Sequence, residues 1–246
     1  MTLTQDRLQQ RLNPRPMRFY ETAGSTNDLA RDWLRAGGPE GAVVIADEQV
    51  AGRGRRGHGW HTPPGAALAL SVILRPAVDH LPRLSLLGAL AIAELCEQLG
   101  APEVGIKWPN DVQIGGLKVS GVLPEAEWDG SRLLGVVLGM GLNVRVDFRG
   151  SELEGRAISL EDALGRRLDR THLVGDLLER VDDWYACLGS TLFYDAWKTR
   201  LATIGHPVRI GELEGVAESV DEEGVLWVRD GAGRLHRVLA GDMVMR

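Results

Sequence analysis

The chain has few of the residues that build disulfide scaffolds, metal centres or membrane spans. Its two cysteines, Cys96 and Cys187, are too few for a disulfide framework and lack the spacing of metal ligands. The six histidines are scattered, and His58 and His61 have no neighbouring thiol or carboxylate pattern that would complete a zinc site. No stretch approaches the length of a membrane span, and the N-terminus has no long apolar region. These features predict a reducing, cytoplasmic setting.

Basic residues are also fewer than acidic ones. The chain has 28 lysines and arginines and 34 aspartates and glutamates, which gives a formal net charge of −6. A general nucleic-acid-binding protein needs a basic face, so this balance argues against that class and leaves room only for a local cationic pocket. The length of 246 residues predicts one large domain with a smaller one, and the sequence shows neither an internal repeat nor a low-complexity tract.

Helices and strands are predicted in an α/β order. Strands are expected at residues 18–20, 42–46, 66–74, 104–107, 112–114, 118–125 and 133–140. Helices are expected from a cap at residues 25–28 to a stop at residue 37, and at residues 82–99, 171–188 and 192–201. Short turns that contain Gly and Asn link the last four of these strands and indicate antiparallel neighbours. Five further strands, at residues 207–210, 213–219, 224–229, 235–239 and 242–245, predict a small all-β barrel.

Residues 51–60, which read AGRGRRGHGW, are the most informative stretch. Glycine accepts positive φ, so the backbone can fold closely around a ligand, and the arginine fork suits phosphate and carboxylate oxygens. The segment lacks the Gly-Lys-Ser/Thr ending of a P-loop and the glycine spacing of the Rossmann fingerprint. It therefore indicates a different kind of anion-binding loop. The alternative is a solvated glycine-rich loop with incidental charge.

Short polar side chains stand at two places that suit a small ligand. Ser25, Thr26 and Asn27 stand at the start of the first predicted helix. They either cap that helix or hold a polar ligand at its N-terminus. Gln49 ends a buried strand just before the glycine/arginine loop, where its amide can contact a ligand ring. A lone glutamine is also commonly without any role.

Two lysines occupy strand ends beside turns. Residues 107–111, KWPND, place Lys107 at the end of an apolar strand, where active-site residues often lie. The alternative is a simple β-turn with a paired lysine and aspartate. Lys118 follows a Gly-Gly turn and precedes Gly121, which leaves room for a ligand against the backbone. Otherwise such a lysine extends its ammonium to water.

Together these stretches resemble the biotin protein ligases. That family carries a G-R-G-R-x-G-R-x-W adenylate loop, a K-W-P-N-D turn, a K-x-x-G-[IV]-L strand and a G-x-G-[IL]-N strand end. The chain shows the same four motifs in the same order, at residues 52–60, 107–111, 118–123 and 139–143. Four ordered motifs are far more specific than any one of them, and the resemblance extends over about residues 17–246.

The resemblance implies an α+β fold. A catalytic domain at residues 17–203 would contain a mixed β-sheet backed by helices, similar to class II aminoacyl-tRNA synthetases. A small SH3-like β-barrel would follow at residues 204–246. Residues 1–16 would form an N-terminal extension, too short for the winged-helix DNA-binding domain that precedes this core in many bacterial members. The expected protein is the monofunctional ligase without repressor activity.

The resemblance also implies a two-step reaction. The carboxylate of biotin attacks the α-phosphate of Mg-ATP and gives biotinyl-5′-AMP and pyrophosphate. A lysine of the biotin carboxyl carrier domain of acetyl-CoA carboxylase, or of a related carboxylase, then attacks the mixed anhydride and releases AMP. ATP, Mg²⁺ and biotin are the expected small molecules, with no tightly bound prosthetic group, and neither DNA nor a membrane is an expected partner. The motifs do not determine the oligomeric state, and a homodimer is one alternative.

Site residues are assigned by matching each motif. Lys118, Lys107 and Arg53 are the expected catalytic residues. Contacts with biotin are expected from Ser25, Thr26, Asn27, Gln49, Gly52, Arg53, Gly54, Arg55, Trp60, Lys118 and Gly121. Contacts with ATP are expected from Arg53, Arg55, Arg56, Lys107, Asn110, Lys118, Asn143 and Ala157. The metal ligands stay unassigned. The chain departs from the family pattern at His58, where arginine is more common, and an imidazole cannot form a bidentate fork.

Two other classes remain as alternatives. Lipoate ligases share the catalytic fold and also adenylate a small acid, but the glycine/arginine loop and the Lys107 turn favour biotin. A nucleic-acid-binding module with Arg-Gly contacts is opposed by the acidic net charge and by the confinement of Arg-Gly to one loop.

Overall fold

Two β-sheets and the helices around them make up the part of the chain that the structure describes. This part comprises residues 2–239, 241 and 243–245 of the computed structural model. The larger sheet contains the strands β1 (Met17–Ala23), β2 (Val43–Gln49), β3 (Ala67–Leu74), β4 (Val104–Lys107), β5 (Asp111–Ile114), β6 (Leu117–Asp129) and β7 (Arg132–Asn143). The α-helices are α1 (Gln5–Leu12), α2 (Thr26–Arg35), α3 (Leu84–Gln98), α4 (Leu160–Leu164), α5 (Arg170–Ala186) and α6 (Thr191–Lys198). Short 3-10 helices span Arg55–Gly57 and Val78–Arg83.

The larger sheet is mixed, as the family resemblance implies. Its strand order is β1-β2-β3-β7-β6-β5-β4, with β1 and β2 parallel and the other neighbours antiparallel. The predicted antiparallel run from β4 to β7 is therefore confirmed. Strand β3 is buried along its whole length, which explains why its sequence is a continuous apolar run rather than an alternating one.

Helix α3 forms the centre of the core, and its sequence is apolar on nearly every face because it is covered by β6 on one side and α5 on another. A Cβ added to Gly88 would lie 2.6 Å from Val122, so the missing side chain lets the helix approach the sheet closely. The predicted start at Pro82 is wrong. Pro82 lies in the tighter 3-10 helix Val78–Arg83, and the α-helix begins at Leu84.

Helix α1 packs on α5. No helix is predicted from the sequence in this part of the chain. Leu3, Leu8 and Leu12 are buried beneath it. Three arginines spaced four residues apart form ion pairs with carboxylates of the α5 region: Arg7 with Asp169, Arg11 with Asp176 and Arg15 with Asp182. Arg7 and Arg11 lie on one face of α1, and Arg15 lies in the turn after it, so ion pairs of the helix and of this turn together align α1 with its neighbour.

The second sheet consists of β8 (Pro207–Ile210), β9 (Leu213–Val220), β10 (Leu226–Asp230), β11 (Leu235–Val238) and β12 (Met243–Met245). Its order is β11-β10-β9-β8-β12, and all neighbours are antiparallel. The predicted all-β segment is confirmed. Among the described residues it is an open sheet with β11 and β12 at its edges, and no pairing closes it into a barrel. Asp242, which the last predicted strand includes, lies outside the described residues.

The two sheets share one hydrophobic core. Trp108 is buried between them, where its backbone N–H donates to Thr203 Oγ1 and its Nε1–H donates to the carbonyl of Gly224, both at 2.8 Å. The turn between β4 and β5 is thus fixed by the smaller sheet. No helix in the described part of the chain is both long and apolar enough to cross a membrane.

Candidate active site

A cavity of about 430 Å³ lies on the larger sheet beside the start of α2. Four sequence motifs that are distant along the chain meet there. The predicted site residues that line it are Ser25, Thr26, Asn27, Gln49, Arg53, Gly54, Arg55, Trp60, Lys107, Asn110, Lys118 and Gly121.

Glycines of β6 and β7 create the space for the cavity. Gly121 pairs with Gly141 across the two strands, and Gly139 follows on the same face of β7. A Cβ on Gly141 would lie 2.3 Å from the indole of Trp60, and a Cβ on Gly139 would lie 2.2 Å from Asn27 Oδ1. The absence of side chains therefore forms a flat floor on which the Trp60 ring lies.

The polar wall of the cavity is a connected hydrogen-bond network. Gln49 Oε1 accepts from the backbone N–H of Thr26 at 2.8 Å and from its hydroxyl at 3.1 Å. Ser71 Oγ lies 2.8 Å from Thr26 Oγ1 and donates to Asn27 Oδ1 at 2.6 Å. Since a satisfied buried network holds its side chains in fixed rotamers, these amides and hydroxyls are preorganised for a polar ligand.

Ser25 occupies the N-cap position of α2, but its hydroxyl does not cap the helix. The side chain makes no capping hydrogen bond, although it is buried. A serine that only terminates the helix would place its oxygen on the N–H two or three residues later. Ser25 lines the cavity, and the missing cap favours the ligand-binding interpretation over the capping alternative.

Residues 52–60 fold into a small hairpin, which we call the glycine/arginine hairpin. The N–H of Trp60 donates to Gly52 O at 2.9 Å, and the N–H of Gly54 donates to His58 O at 2.6 Å. The turn at its tip requires positive φ at Arg56 and Gly57. At its base, a Cβ on Gly52 would lie 2.4 Å from the carbonyl oxygen of Trp60, so only glycine fits there.

Two arginines tie this hairpin to opposite walls of the cavity. Arg53 forms a bidentate pair with Asp28 of α2, with Nη–Oδ distances of 2.5 and 2.7 Å, and lies 3.4 Å from Glu125 of β6. Its hydrogen bonds hold the pKa of the Asp28 carboxyl below the ordinary value. Arg55 Nη1 donates to Asn110 Oδ1 at 3.1 Å.

The turn between β4 and β5 supplies the opposite wall. Besides the Trp108 contacts, Asn110 Nδ2 donates to the carbonyl of Val122. These contacts hold the turn, so Lys107 and Asn110 face the cavity from a rigid support.

Lys118 Nζ lies 2.8 Å from Asp111 Oδ1 and 5.8 Å from the centre of the Trp60 ring. Both side chains of this ion pair line the cavity and are about two-thirds buried. The described lining carries the cationic side chains of Arg53, Arg55, Lys107, Lys118 and Arg156, against the single carboxylate of Asp111. An acidic chain therefore contains a locally cationic pocket, which favours an anionic ligand.

Four predicted site residues do not line this cavity. Gly52 packs at the base of the hairpin, and Arg56 is exposed at its tip. Asn143 is buried at the end of β7, where its amide lies 3.5 Å from the carbonyl oxygens of Lys118 and Ile158. Ala157 pairs with Lys118 through a β-bridge and faces a second cavity of about 870 Å³ that residues 145–167 surround.

Several residues that line the cavity are not predicted from the sequence as site residues. Asp111 stands inside a motif but received no role, although a lysine and a carboxylate at neighbouring strand ends suggest a pair. Arg156 lies in a polar loop without periodicity. Met243 and Val244 come from the smaller sheet, and contacts between sheets leave no local signal in the sequence. The partner of Arg53 was also missed, because Asp28 lies 25 residues away in the chain.

The mixed sheet and its cationic, glycine-floored cavity define an α+β domain with a site suited to an anionic group next to a polar one. The sequence model of the Biotin/lipoate A/B protein ligase family matches residues 19–143. The biotin--[acetyl-CoA-carboxylase] ligase of Mycobacterium tuberculosis is 36% identical over 237 residues, which cover 90% of this chain and 85% of that protein. The bifunctional ligase/repressor BirA of Bacillus subtilis is 33% identical over 238 residues, which cover 92% of this chain and 72% of that protein.

Solved structures agree with these sequence matches. The biotin protein ligase from Aquifex aeolicus in complex with biotin and ATP superposes with a TM-score of 0.81 at 26% identity, covering 94% of this chain and 98% of that one. The chain belongs to the biotin/lipoate A/B protein ligase family.

Proposed function

We propose that the protein is an ATP-dependent biotin protein ligase. It activates biotin to biotinyl-5′-AMP and transfers the biotinyl group to a lysine of the biotin carboxyl carrier domain of acetyl-CoA carboxylase or of a related carboxylase. The observation that carries this proposal is the position of the cations. They surround a cavity whose other wall is a fixed amide and hydroxyl network, within a chain that matches biotin ligases over about nine-tenths of its length.

The polar wall suits the ureido ring of biotin. A ureido group offers two N–H donors and one carbonyl acceptor, so it needs both acceptors and donors within a small space. Ser25, Thr26, Asn27 and Gln49 provide hydroxyl and amide groups of both kinds. The Trp60 ring and the glycine floor provide a flat apolar surface for the rest of the bicycle and the chain.

The cationic wall suits the first chemical step. A carboxylate oxygen of biotin attacks the α-phosphorus of ATP, a new O–P bond forms, and the bond to the departing pyrophosphate breaks. Negative charge moves from the attacking carboxylate to the leaving group, so fixed positive charges around the phosphates lower the barrier. Arg55, Lys107 and Lys118 lie around the cavity for this purpose, and the Arg53 backbone belongs to the hairpin that covers it.

The second step needs the same cavity with its mouth accessible to another protein. The amine of the acceptor lysine attacks the carbonyl carbon of the mixed anhydride, an amide bond forms, the nitrogen loses a proton to solvent, and AMP leaves with the electrons of the broken C–O bond. Until the acceptor arrives the anhydride is exposed to hydrolysis, so a hairpin that excludes water protects it. We assign Asn143 and Ala157, beside the backbone of Lys118, to the adenosine side.

Mg²⁺ fits this site as a companion of the triphosphate. The described residues contain no group of three or more His, Cys, Asp or Glu side chains that could hold a metal alone. Mg²⁺ commonly binds through one or two carboxylates together with substrate phosphates. Asp111 is the carboxylate of the described lining that could meet it, and the ion would neutralise phosphate charge. A cytoplasmic location, and the division into residues 17–203 and 204–246, remain proposals.

A lipoate ligase is the second candidate, because the matching family includes ligases for both acids. Pyrophosphate release in the presence of ATP, Mg²⁺ and either acid distinguishes them. The proposal expects release with biotin and little with lipoate, and it expects that omitting the acid abolishes release. Release that depends on lipoate but not on biotin would overturn the assignment.

A further inference from the structure

We propose that Asp28 is a positioning residue that holds the glycine/arginine hairpin closed over the cavity through Arg53. This inference rests on the proposed function for its chemical consequence, but its structural part does not depend on which acid is bound. Asp28 itself does not line the cavity. It acts on the ligand only through the arginine.

The geometry of the pair distinguishes it from an ordinary surface ion pair. Exposed ion pairs usually contribute little unless they are bidentate or belong to a network. Here both conditions hold. Two nitrogens of Arg53 bind the two oxygens of Asp28, and Glu125 of β6 adds a second carboxylate at 3.4 Å. Arg31, one turn further along α2, also contacts Oδ1 of Asp28 and so helps to hold the carboxylate in place.

The position of Asp28 makes the contact stiff. It lies in the first turn of α2, where the partial positive charge of the helix N-terminus favours a carboxylate. The next residue towards the N-terminus is Asn27, whose amide donates to Glu125 Oε2 at 2.6 Å and to Leu123 O at 3.2 Å. The anchor of the hairpin and the polar wall of the cavity are therefore parts of one rigid helix start.

The Asp28 contact is the bidentate tie that joins the hairpin to α2. Most of its backbone hydrogen bonds are internal, between residues 52–54 and 58–60. Its base is fixed by the Trp60 ring on the glycine floor, and its tip by the hydrogen bond from Arg55 to Asn110. Loss of the Asp28 contact would remove the bidentate tie between the hairpin and α2 and leave Arg53 with its longer contact to Glu125. Both Asp28 and Arg53 are partly exposed, with 45% and 35% of their side chains accessible, so the tie can open for ligand exchange.

The consequence concerns retention of the intermediate. If the hairpin opens more often, biotinyl-5′-AMP escapes before the acceptor lysine arrives, while the groups that perform adenylation remain. Pyrophosphate release then exceeds biotinylation of the carrier domain. A purely structural defect would lower both by the same factor.

The test is Asp28→Asn, which removes the charge and keeps the shape. Asp32→Asn on the same helix is the matched control, because Asp32 is exposed and its partner Arg35 lies 3.9 Å away on the surface. Amide hydrogen exchange across residues 52–60 is measured in the ligand-free full chain, and the ratio of pyrophosphate released to carrier biotinylated is measured with biotin and ATP. Melting temperatures confirm that each variant is folded.

Asp28→Asn should speed exchange in the hairpin by about tenfold, the scale of one lost charge-assisted hydrogen bond, and should raise the ratio several-fold. Asp32→Asn should change neither the exchange rate nor the ratio. Asp28→Glu keeps the charge, so both its exchange rate and its ratio should stay closer to wild type than those of Asp28→Asn. Unchanged exchange in Asp28→Asn overturns the proposal, and so does faster exchange with an unchanged ratio. If wild type releases no biotin-dependent pyrophosphate, the proposed function fails, and the exchange measurement alone decides whether Asp28 anchors the hairpin.

Discussion

Lys118 and Asp111 form an ion pair in the cavity, with 2.8 Å between Nζ and Oδ1. The two residues come from neighbouring strands, β6 and β5, and neither depends on a mobile loop. Asp111 therefore holds the ammonium in the position that an acidic ligand would use. Binding of a carboxylate or phosphate must compete with Asp111 or share the lysine with it.

Lys118→Ala should lower biotin-dependent pyrophosphate release by about 10²-fold or more, the scale of one lost electrostatic stabiliser of a transition state. The melting temperature should change little, because the side chain is partly exposed and the strand remains. Lys198→Ala, at an exposed position on α6, is the control and should leave the rate unchanged. A normal rate in Lys118→Ala would remove this lysine from the site.

Gly141→Ala should displace the Trp60 ring. The new Cβ would lie 2.3 Å from the indole, and a methyl forced into a packed site costs about 1–3 kcal/mol. The Trp60 ring borders the proposed biotin pocket, so we expect the KM for biotin to rise more than the KM for ATP. Gly231→Ala is the control, because its Cβ would meet nothing within 4 Å. Equal changes in both KM values would mean that Trp60 does not border biotin.

Bound substrates should protect the glycine/arginine hairpin. Biotin with ATP adds contacts on the inner side of residues 52–60, where Arg55 and Trp60 line the cavity. Hydrogen exchange of these amides should slow when both substrates are added, and slow less with either one alone. Exchange that is already at its slow limit in the empty protein would show that the hairpin does not gate the cavity.

His58→Arg should lower the apparent KM for ATP by a few-fold, because a loop guanidinium attracts triphosphate through a screened interaction. His58 lines the cavity from the exposed part of the hairpin. The KM for biotin should stay nearly constant, and the gain should shrink at high ionic strength. Steady-state kinetics at two salt concentrations measure this. A gain that does not depend on salt would exclude the electrostatic explanation.

Much of the fold could be predicted because its signals are local. Strand β3 is a continuous apolar run, and the turns that link β4 to β7 contain glycine or asparagine. The same is true of the site motifs, in which glycine, arginine and lysine stand within a few residues of one another. The structure brings twelve of the predicted site residues around one cavity, although their individual roles remain proposals.

What could not be predicted depends on contacts between distant segments. Helix α1 has a polar sequence. It is held by the burial of Leu8 and Leu12 and by ion pairs with carboxylates at α5, more than 150 residues away. The anchor between Arg53 and Asp28 joins a loop to a helix with no shared motif. The start of α3 was misplaced because proline suits a 3-10 turn as well as the first turn of an α-helix.

The most direct test of the account is mass spectrometry of a biotin carboxyl carrier domain after incubation with this protein, biotin, ATP and Mg²⁺. The account expects the mass increase of one biotinyl amide on a single lysine, and no increase when ATP is omitted, when lipoate replaces biotin, or with Lys118→Ala at matched times. An unmodified carrier domain under conditions where the folded protein binds biotin, or a lipoyl adduct in place of the biotinyl one, would contradict it.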